Sequence, residues 1–260
     1  MMIGSLTVGM FLLYVFIGFL AQCIDGTLGM AYGVICRTCL RSIAKAPTAM
    51  ASAVVHCAKL FTCFVSGVSH LTLKNVFGDW LWRLIIPGVI GGVLGAWLIT
   101  GFGDVLEPVV DIYLIVMGVI IFLKAFDRRK KRNVRRAKNR LWPLGFIGGF
   151  LDACGGGGWG PVVTSTLLAQ DQDVKKTIGT VNTAEFVVTV AETTTFVALL
   201  HDMTAFWPII LGVALGGVVA APFAAWLCKK LPVKLLLGFV GIVVVGLNVY
   251  NLIHWLGTVL

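Results

Sequence analysis

Eight apolar runs of membrane-spanning length follow one another along this chain. A transmembrane helix needs roughly 20 consecutive apolar residues to cross about 30 Å of hydrocarbon. Hydrophobic residues make up 58% of the sequence and charged residues only 13%, which is not the balance of a soluble globule. The sequence therefore predicts an all-α polytopic membrane protein, with candidate segments at residues 6–24, 49–68, 80–99, 109–126, 142–168, 178–200, 205–228 and 235–256.

The net charge of +9 is concentrated in one short segment. Residues 127–140, DRRKKRNVRRAKNR, hold nine of the 21 basic residues and a single acid. A short basic loop between two membrane segments is typical of the cytoplasmic side. Contact with anionic lipids is a secondary role that this loop suits, and we expect no nucleic-acid partner. The segment is predicted to be a cytoplasmic linker in a multi-pass protein of the inner (plasma) membrane.

The charge pattern also bears on how the glycine-rich segments cross the bilayer. If each crossed once, several lysines would fall outside, against the positive-inside rule. If each is re-entrant or a broken pair that returns, these lysines come inside and the acidic loop 101–107 stays outside. This second arrangement is favoured, although it misplaces Arg37, Arg41 and Lys45. The lysines concerned are Lys175, Lys176, Lys229, Lys230 and Lys234.

Two glycine-rich stretches repeat one another. GFLAQCIDGTLGMAYG from Gly18 aligns with GFIGGFLDACGGGGWG from Gly145, matching Asp25 to Asp152. Repeats of this kind organise many transporters. We predict two homologous halves, residues 1–126 and 141–260, each with a broken or re-entrant first segment followed by three spans. The returning segments predict an inverted repeat, whereas four single crossings per half would make the halves parallel.

The paired aspartates lie inside apolar segments, where a carboxylate costs at least a few kcal/mol. One interpretation is that Asp25 and Asp152 each cap the half-helix that follows, because a carboxylate accepts hydrogen bonds from free N–H groups at a helix N-terminus. The other interpretation places them directly in an ion or substrate pathway. The two roles are compatible.

Glycine breaks within membrane segments are tolerated only where the loosened backbone faces protein or water. Backbone N–H groups at a half-helix N-terminus suit an anion, so two such breaks meeting near the midplane predict a central anion site. The alternative is close packing between helices, which explains Gly91, Gly92, Gly216 and Gly217 well. It explains the four adjacent glycines before Trp159 and Pro161 less well. The glycines of the predicted site are Gly29, Gly33, Gly155, Gly156, Gly157 and Gly158.

Further polar residues lie on the helix after each break. The repeat matches His56 with Asn182 and Lys59 with Glu185, and Glu192 follows two turns later. One interpretation is a structural ion pair across the repeat interface, most directly between Lys59 and Glu185. The alternative is that Glu185 or His56 carries a proton that is coupled to substrate movement.

At these motifs the chain resembles the TauE/SafE sulfite exporter family of membrane transporters, which is grouped with sulfonate uptake permeases. The resemblance covers nearly the whole chain and rests on QCIDGTLGMAYGV, ASAVVHCAK, SGVSH and PGVIGGVLGA in the first half, and on GGFLDACGGGGWGPV and GTVNTAEF in the second. Lys59 stands where relatives are expected to carry an acid. The resemblance implies transport of small anions, especially sulfur oxyanions or organosulfur acids; the residues alone do not indicate sulfur.

Together these observations predict a secondary transporter of small anions that works by alternating access. We expect no enzyme activity, no catalytic residues, no metal and no cofactor. An anion channel remains an alternative, as does an intramembrane thiol, redox or hydrolytic enzyme that uses Cys23 and Cys154. The sequence leaves the oligomeric state open, a homo-oligomer included. The predicted substrate-binding residues are Gln22, Asp25, Gly29, Gly33, His56, Asp152, Gly155, Gly156, Gly157, Gly158, Asn182 and Glu185.

Overall fold

The computed structural model describes residues 2–3, 6–28, 31–124, 126, 140–168, 174–200, 203–227 and 233–259. A short β-ladder pairs β1 (Met2–Ile3) with β2 (Leu6–Thr7), and the other described residues are helical except for short connections such as 45–47, 73–77 and 156–158. The long apolar runs thus form helices, as predicted for an all-α polytopic membrane protein. The helices are α1 (Val8–Leu28), α2 (Tyr32–Ala44), α3 (Thr48–Thr72), α4 (Gly78–Lys124), α5 (Leu141–Gly155), α6 (Ser165–Leu168), α7 (Val174–Leu199), α8 (Trp207–Leu227) and α9 (Val233–Val259).

Helix α4 is too long for one membrane crossing, because 47 residues extend about 70 Å at 1.5 Å per residue. Its backbone is non-helical at Phe102 (φ −128°, ψ 19°), where two helices meet at a kink. We call residues 78–101 the first arm and residues 103–124 the second arm. Each arm has the length of one span. Among the described residues, five helices are long and apolar enough to cross a membrane: α1, α3, α4, α8 and α9.

Both glycine-rich segments are broken helices. The chain turns at Ala31 (φ 99°) between α1 and α2, and at Gly156 (φ 67°) after α5. A π-helical turn, Gly160–Thr164, then leads into α6. The prediction of a broken first segment in each half is therefore confirmed. The basic linker lies outside the described residues except for its last residue, Arg140.

Glycines allow helices of one half to pack closely on helices of the other. A Cβ at Gly145 in α5 would lie 2.7 Å from the carbonyl oxygen of Leu84 in the first arm of α4, and one at Gly95 would lie 2.6 Å from that of Phe150. In the same way, Gly18 in α1 packs on the backbone of Val213 in α8. Each broken segment thus lies on a span of the opposite half.

Equivalent helices of the two halves run antiparallel. Gly67 of α3 lies next to Thr183 of α7, whereas His56, nearer the start of α3, meets Glu192, nearer the end of α7. The second arm of α4 and α9 show the same arrangement, because Gly118 contacts Val245 and Phe122 contacts Gly241.

These contacts define two ends of the helical bundle. At one end Phe77 N–H donates a hydrogen bond to Thr180 Oγ1 (2.8 Å), which brings the α3–α4 connection to the start of α7. At the other end Arg41 of α2 pairs with Glu107 just after the α4 kink. α1 and α2 form a hairpin, because Ile17 and Ile24 of α1 share one apolar groove with Thr38 and Ile35 of α2.

Candidate functional site

The tips of the two broken segments touch. A Cβ at Gly33 would lie 2.7 Å from Gly157 Cα, and a Cβ at Gly157 would lie 2.9 Å from Gly33 Cα. Real side-chain carbons do not approach backbone atoms this closely, so only glycine fits at either position. The predicted meeting of the two breaks is therefore a feature of the structure, with Gly156 at the same contact.

Each break is closed by an aspartate that caps the helix beyond it. Asp25 Oδ1 accepts a hydrogen bond from the backbone N–H of Tyr32 (3.2 Å), and Asp152 Oδ1 accepts one from Trp159 N–H (3.0 Å). In both cases the donor lies seven residues after the acid. The capping interpretation is thus confirmed for both aspartates; a role in a substrate pathway stays a prediction.

The two aspartates differ in their other partners. Asp152 is fully buried, and its Oδ2 lies 3.1 Å from Lys59 Nζ and 3.6 Å from His56 Nε2. Asp25, on the opposite tip, has the Tyr32 N–H as its hydrogen-bond donor. Because a buried carboxylate is stable only when it is paired, Asp152 depends on α3 in a way that Asp25 does not.

Two ion pairs join α3 to α7. Lys59 Nζ lies 2.6 Å from Glu185 Oε1, as predicted from the repeat, and His56 Nε2 lies 3.1 Å from Glu192 Oε2. The His56 Nδ1 atom is 2.7 Å from the carbonyl oxygen of Ser52. A carbonyl only accepts hydrogen bonds, so Nδ1 carries a proton and Nε2 is the nitrogen that binds or releases one.

Asn182 occupies the position in the second half that matches His56. Its Nδ2 donates to Ser66 Oγ (2.9 Å), and Ser66 is also the counterpart of Glu192 at the same spacing of 126 residues. The polar pair Asn182–Ser66 is therefore the counterpart of the ionisable pair His56–Glu192. The two halves share a geometry but differ in chemistry, because only one of the two pairs can change its charge.

The central group has more acids than bases. Among the described residues, Asp152, Glu185 and Glu192 face two cationic partners, Lys59 and His56, even when His56 is protonated. Donor atoms of His56, Asp152 and Glu192 lie within 4.8 Å of one another, a separation that suits a small cation or a shared proton. Lys59 already neutralises Asp152 and would repel a metal ion, so a proton fits this group better.

Arg37 was treated in the sequence only as a misplaced topological charge, but the structure places it at the tips. It is 1% exposed, and its side chain lies against Gly156. Its Nη1 is 3.4 Å from the Gly155 carbonyl oxygen, and its Nε has no hydrogen-bond partner among the described residues. The only sequence signal for Arg37 was its conflict with the positive-inside rule.

The remaining predicted residues are distributed around this centre. Gln22 lies on α1, and its buried Oε1 atom has no hydrogen-bond partner within the described part of the chain. Gly158 packs on the backbone of Leu151 and Asp152. Gly29 lies outside the described residues. The Cys154 thiol is directed at the Gly95 carbonyl oxygen (3.6 Å), and Cys23 is buried on α1. Glu192 was not among the predicted site residues, although its partner His56 was.

Comparisons with known proteins identify the family of the chain. The family described as "Sulfite exporter TauE/SafE" matches residues 14–251. The chain is similar to a protein of Bacillus subtilis (strain 168) described as "Probable membrane transporter protein YtnM", with 39% identity over 249 residues, which cover 94% of this chain and 83% of that one. No solved structure matches. The relatives are membrane transporters and not enzymes, and the chain, with its multiple spans, belongs to the sulfite exporter TauE/SafE family.

Proposed function

We propose that this chain is a secondary carrier that moves small anions, of the sulfur-oxyanion or organosulfur-acid class, by alternating access. The observation that carries the proposal is the contact between two broken helices, one from each half, at Gly33 and Gly157. Transporters commonly bind substrate at such breaks, near the midplane and between repeats. The family name supports the sulfur chemistry.

An inverted repeat is part of this proposal. It is supported by the antiparallel packing of α3 on α7 and of the second arm of α4 on α9, because equivalent helices that pack antiparallel are related by an axis lying across them. Such an axis lies in the membrane plane when the helices span it. The two broken segments then enter from opposite sides, and rocking one half against the other exposes the tips to each side in turn.

The positive-inside rule gives the orientation. The end of the bundle that holds Phe77 and Thr180 continues into the basic linker after α4, so it is assigned to the cytoplasm. The opposite end holds Arg41, whose outward position conflicted with the charge rule in the sequence. Its ion pair with Glu107 supports that position, because the pair neutralises the charge.

Backbone and neutral donors form the anion site in this proposal. Residues 155–158 are all glycine, so the turn after α5 has no side chains of its own to cover its backbone N–H groups. Gln22 and Asn182 add side-chain amide groups from α1 and α7. Asp25 and Asp152 act as caps that hold the half-helices in place.

Coupling is assigned to His56 or Glu185 together with their partners. The membrane potential expels an anion from a negative-inside cell with about 2.3 kcal/mol per charge per 100 mV. Export therefore needs no coupling ion, whereas uptake does. The excess of carboxylates over cations around His56 and Lys59 supports a bound proton as the coupling ion.

The test is a flux assay with the purified protein in liposomes. Sulfite, thiosulfate, sulfate and methanesulfonate are compared, and we expect at least one to enter saturably and to show counterflow. Flux without saturation or counterflow would indicate a channel. The variant Gly157→Leu should abolish flux because a side chain cannot fit against Gly33. The matched control Gly246→Leu has no atom within 4 Å of its Cβ and should transport normally. Normal flux in Gly157→Leu would contradict the central site.

A further inference from the structure

We propose that Arg37, together with Tyr113, is the oxyanion-recognising element of the transport site, and that it binds two oxygens of the substrate at the Gly155–Gly156 turn. This inference rests on the proposed anion transport and adds the residues that select the substrate. The guanidinium of Arg37 is buried between the two tips, and no acidic side chain of the described residues is in contact with it.

Arg37 differs from its neighbour on α2 in its ion pairing. Arg41, one turn further along the same helix face, forms an ion pair with Glu107. In the part of the chain that the structure describes, no carboxylate lies within 4.0 Å of Arg37, and the acid that interacts with it over a longer distance is the buried Asp111 on the second arm of α4. Arg37 nevertheless is only 1% exposed. A buried guanidinium stays charged, and it is costly unless an anion or several acceptors surround it.

The hydrogen-bond acceptors around Arg37 do not engage all of its N–H donors. A guanidinium offers five N–H donors in a rigid fork. The described contacts supply the Gly155 carbonyl oxygen to Nη1 at a long 3.4 Å, and Nε remains without a partner. A fork with unused donors matches an oxyanion, which accepts two parallel hydrogen bonds at once.

Tyr113 adds a second unused donor at the same turn. Tyr113 lies on the second arm of α4, and its ring packs against Gly155. Its hydroxyl has no hydrogen-bond partner among the described residues. Arg37 contacts Gly156, the next residue. Both side chains therefore reach the same glycine turn from different helices. Sulfite, thiosulfate or a sulfonate has enough oxygens to accept from both, whereas chloride cannot accept a bidentate fork.

A polar cavity lies beside the same face of α2 towards the outer end. It has a volume of about 250 Å³, and its lining residues are Arg41, Lys45, Glu107, Asn251, His254 and Trp255. Arg41 lies one turn, about 6 Å along the axis, from Arg37. Arg37 and Arg41 of α2, together with Lys45 directly after the helix, thus form a series of basic residues that leads from the outer cavity to the tips, and such a series attracts anions.

The competing explanation is that Arg37 only ties the two tips together through its bond to Gly155. The variants Arg37→Lys and Tyr113→Phe separate the two roles, because each keeps the size of the side chain but removes donors. Thermal unfolding reports the structural role, and the half-saturation concentration reports binding. Arg140→Lys, at an exposed site before α5, is the matched control.

Flux is measured in liposomes with whichever of sulfite, thiosulfate, sulfate and methanesulfonate the wild type transports best. We expect Arg37→Lys to raise the half-saturation concentration roughly tenfold or more, since a hydrogen bond to a charged group is lost. Tyr113→Phe should raise it severalfold, and Arg140→Lys should leave it unchanged. Excess chloride should not compete in the wild type.

An unchanged half-saturation concentration in Arg37→Lys, with or without a lower unfolding temperature, would overturn the inference and leave Arg37 as a structural tie. Competition by chloride equal to that of a second oxyanion would also overturn it. Failure of the wild type to move any of the four anions would instead refute the proposed function. If Arg37→Lys does not fold, Tyr113→Phe decides alone: an unchanged half-saturation concentration there refutes the shared site.

Discussion

Lys59 and Glu185 occupy matching positions in the two halves and form an ion pair with each other, with Lys59 Nζ 2.6 Å from Glu185 Oε1. A pair made from equivalent positions lies where the halves meet, between the antiparallel helices α3 and α7. Lys59 Nζ also lies 3.1 Å from Asp152 Oδ2, just before the second break in the chain. This lysine therefore links the interface between the halves to the broken segment.

Replacing Lys59 should destabilise the protein more than replacing its partner. Lys59→Met removes the cation from the fully buried Asp152 and the partly buried Glu185, and breaking a buried pair costs about 3–5 kcal/mol. Glu185→Gln leaves Lys59 with Asp152 and is expected to cost far less. Thermal unfolding of the detergent-solubilised proteins, followed by tryptophan fluorescence, measures the difference. Equal losses in the two variants would show that Asp152 does not depend on Lys59.

The repeat made part of this centre predictable from the sequence. An alignment of one half on the other matched Asp25 with Asp152 and Lys59 with Glu185, and both pairings have the expected counterparts in the structure: two caps and one ion pair. The broken helices followed from glycine-rich sequence, because backbone conformation is a local property. These predictions needed no knowledge of how distant helices pack.

Other contacts depend on packing, which the sequence does not specify. His56 meets Glu192 only because α3 and α7 run antiparallel with a particular register, and no residue spacing in the sequence predicts that pair. Arg37 was interpreted as a topological charge, since its burial against Gly156 depends on the position of α5. In both cases the missing information was which faces of two remote helices touch.

Removing each of the two caps should destabilise the protein by a different amount. Asp25→Ala removes one hydrogen bond to Tyr32 N–H and is expected to cost about 1 kcal/mol, the usual value of a helix N-cap. Asp152→Ala removes the equivalent bond and also leaves Lys59 and His56 without their shared carboxylate, so it should cost several kcal/mol. Thermal unfolding of both variants provides the comparison, and a larger loss in Asp25→Ala would contradict the asymmetry.

The cysteines should be dispensable for transport. Cys154 contacts a backbone carbonyl and Cys23 is buried, so both are interpreted as small packing groups. The double variant Cys23→Ala/Cys154→Ala is expected to retain most of its flux in liposomes. Loss of flux in a double variant that folds normally would favour thiol chemistry instead.

The assigned orientation predicts which loops react with a membrane-impermeant thiol reagent. Val105→Cys, in the exposed turn after the α4 kink, should be labelled from outside intact cells. Lys74→Cys, exposed on the α3–α4 connection, should be labelled only after the cells are opened. Both variants are made in a background without native cysteines. The reverse pattern would show that the orientation is inverted. Labelling of both sites from outside would show that the first arm of α4, which lies between them, does not cross the membrane.

The pairs His56–Glu192 and Asn182–Ser66 offer a matched test of proton coupling, because they occupy equivalent places and only the first can titrate. If uptake carries a proton, the wild-type rate should rise as the external pH falls from about 8 to about 6, because a higher proton concentration outside favours the protonated carrier. Glu192→Gln cannot exchange that proton, so its rate should be nearly independent of pH. Ser66→Ala removes the polar counterpart without removing a titratable group and should keep the wild-type profile.

Methanesulfonate or thiosulfate is the appropriate probe for this measurement, provided the wild type transports it, because the charge of either anion stays constant over that pH range. Initial rates are compared at a fixed membrane potential, since a potential alone drives anions outward at about 2.3 kcal/mol per charge per 100 mV. A pH profile that survives in Glu192→Gln would place the coupling proton on His56 itself or on Glu185. A profile lost equally in Ser66→Ala would show that the antiparallel α3–α7 packing, rather than titration, controls the rate.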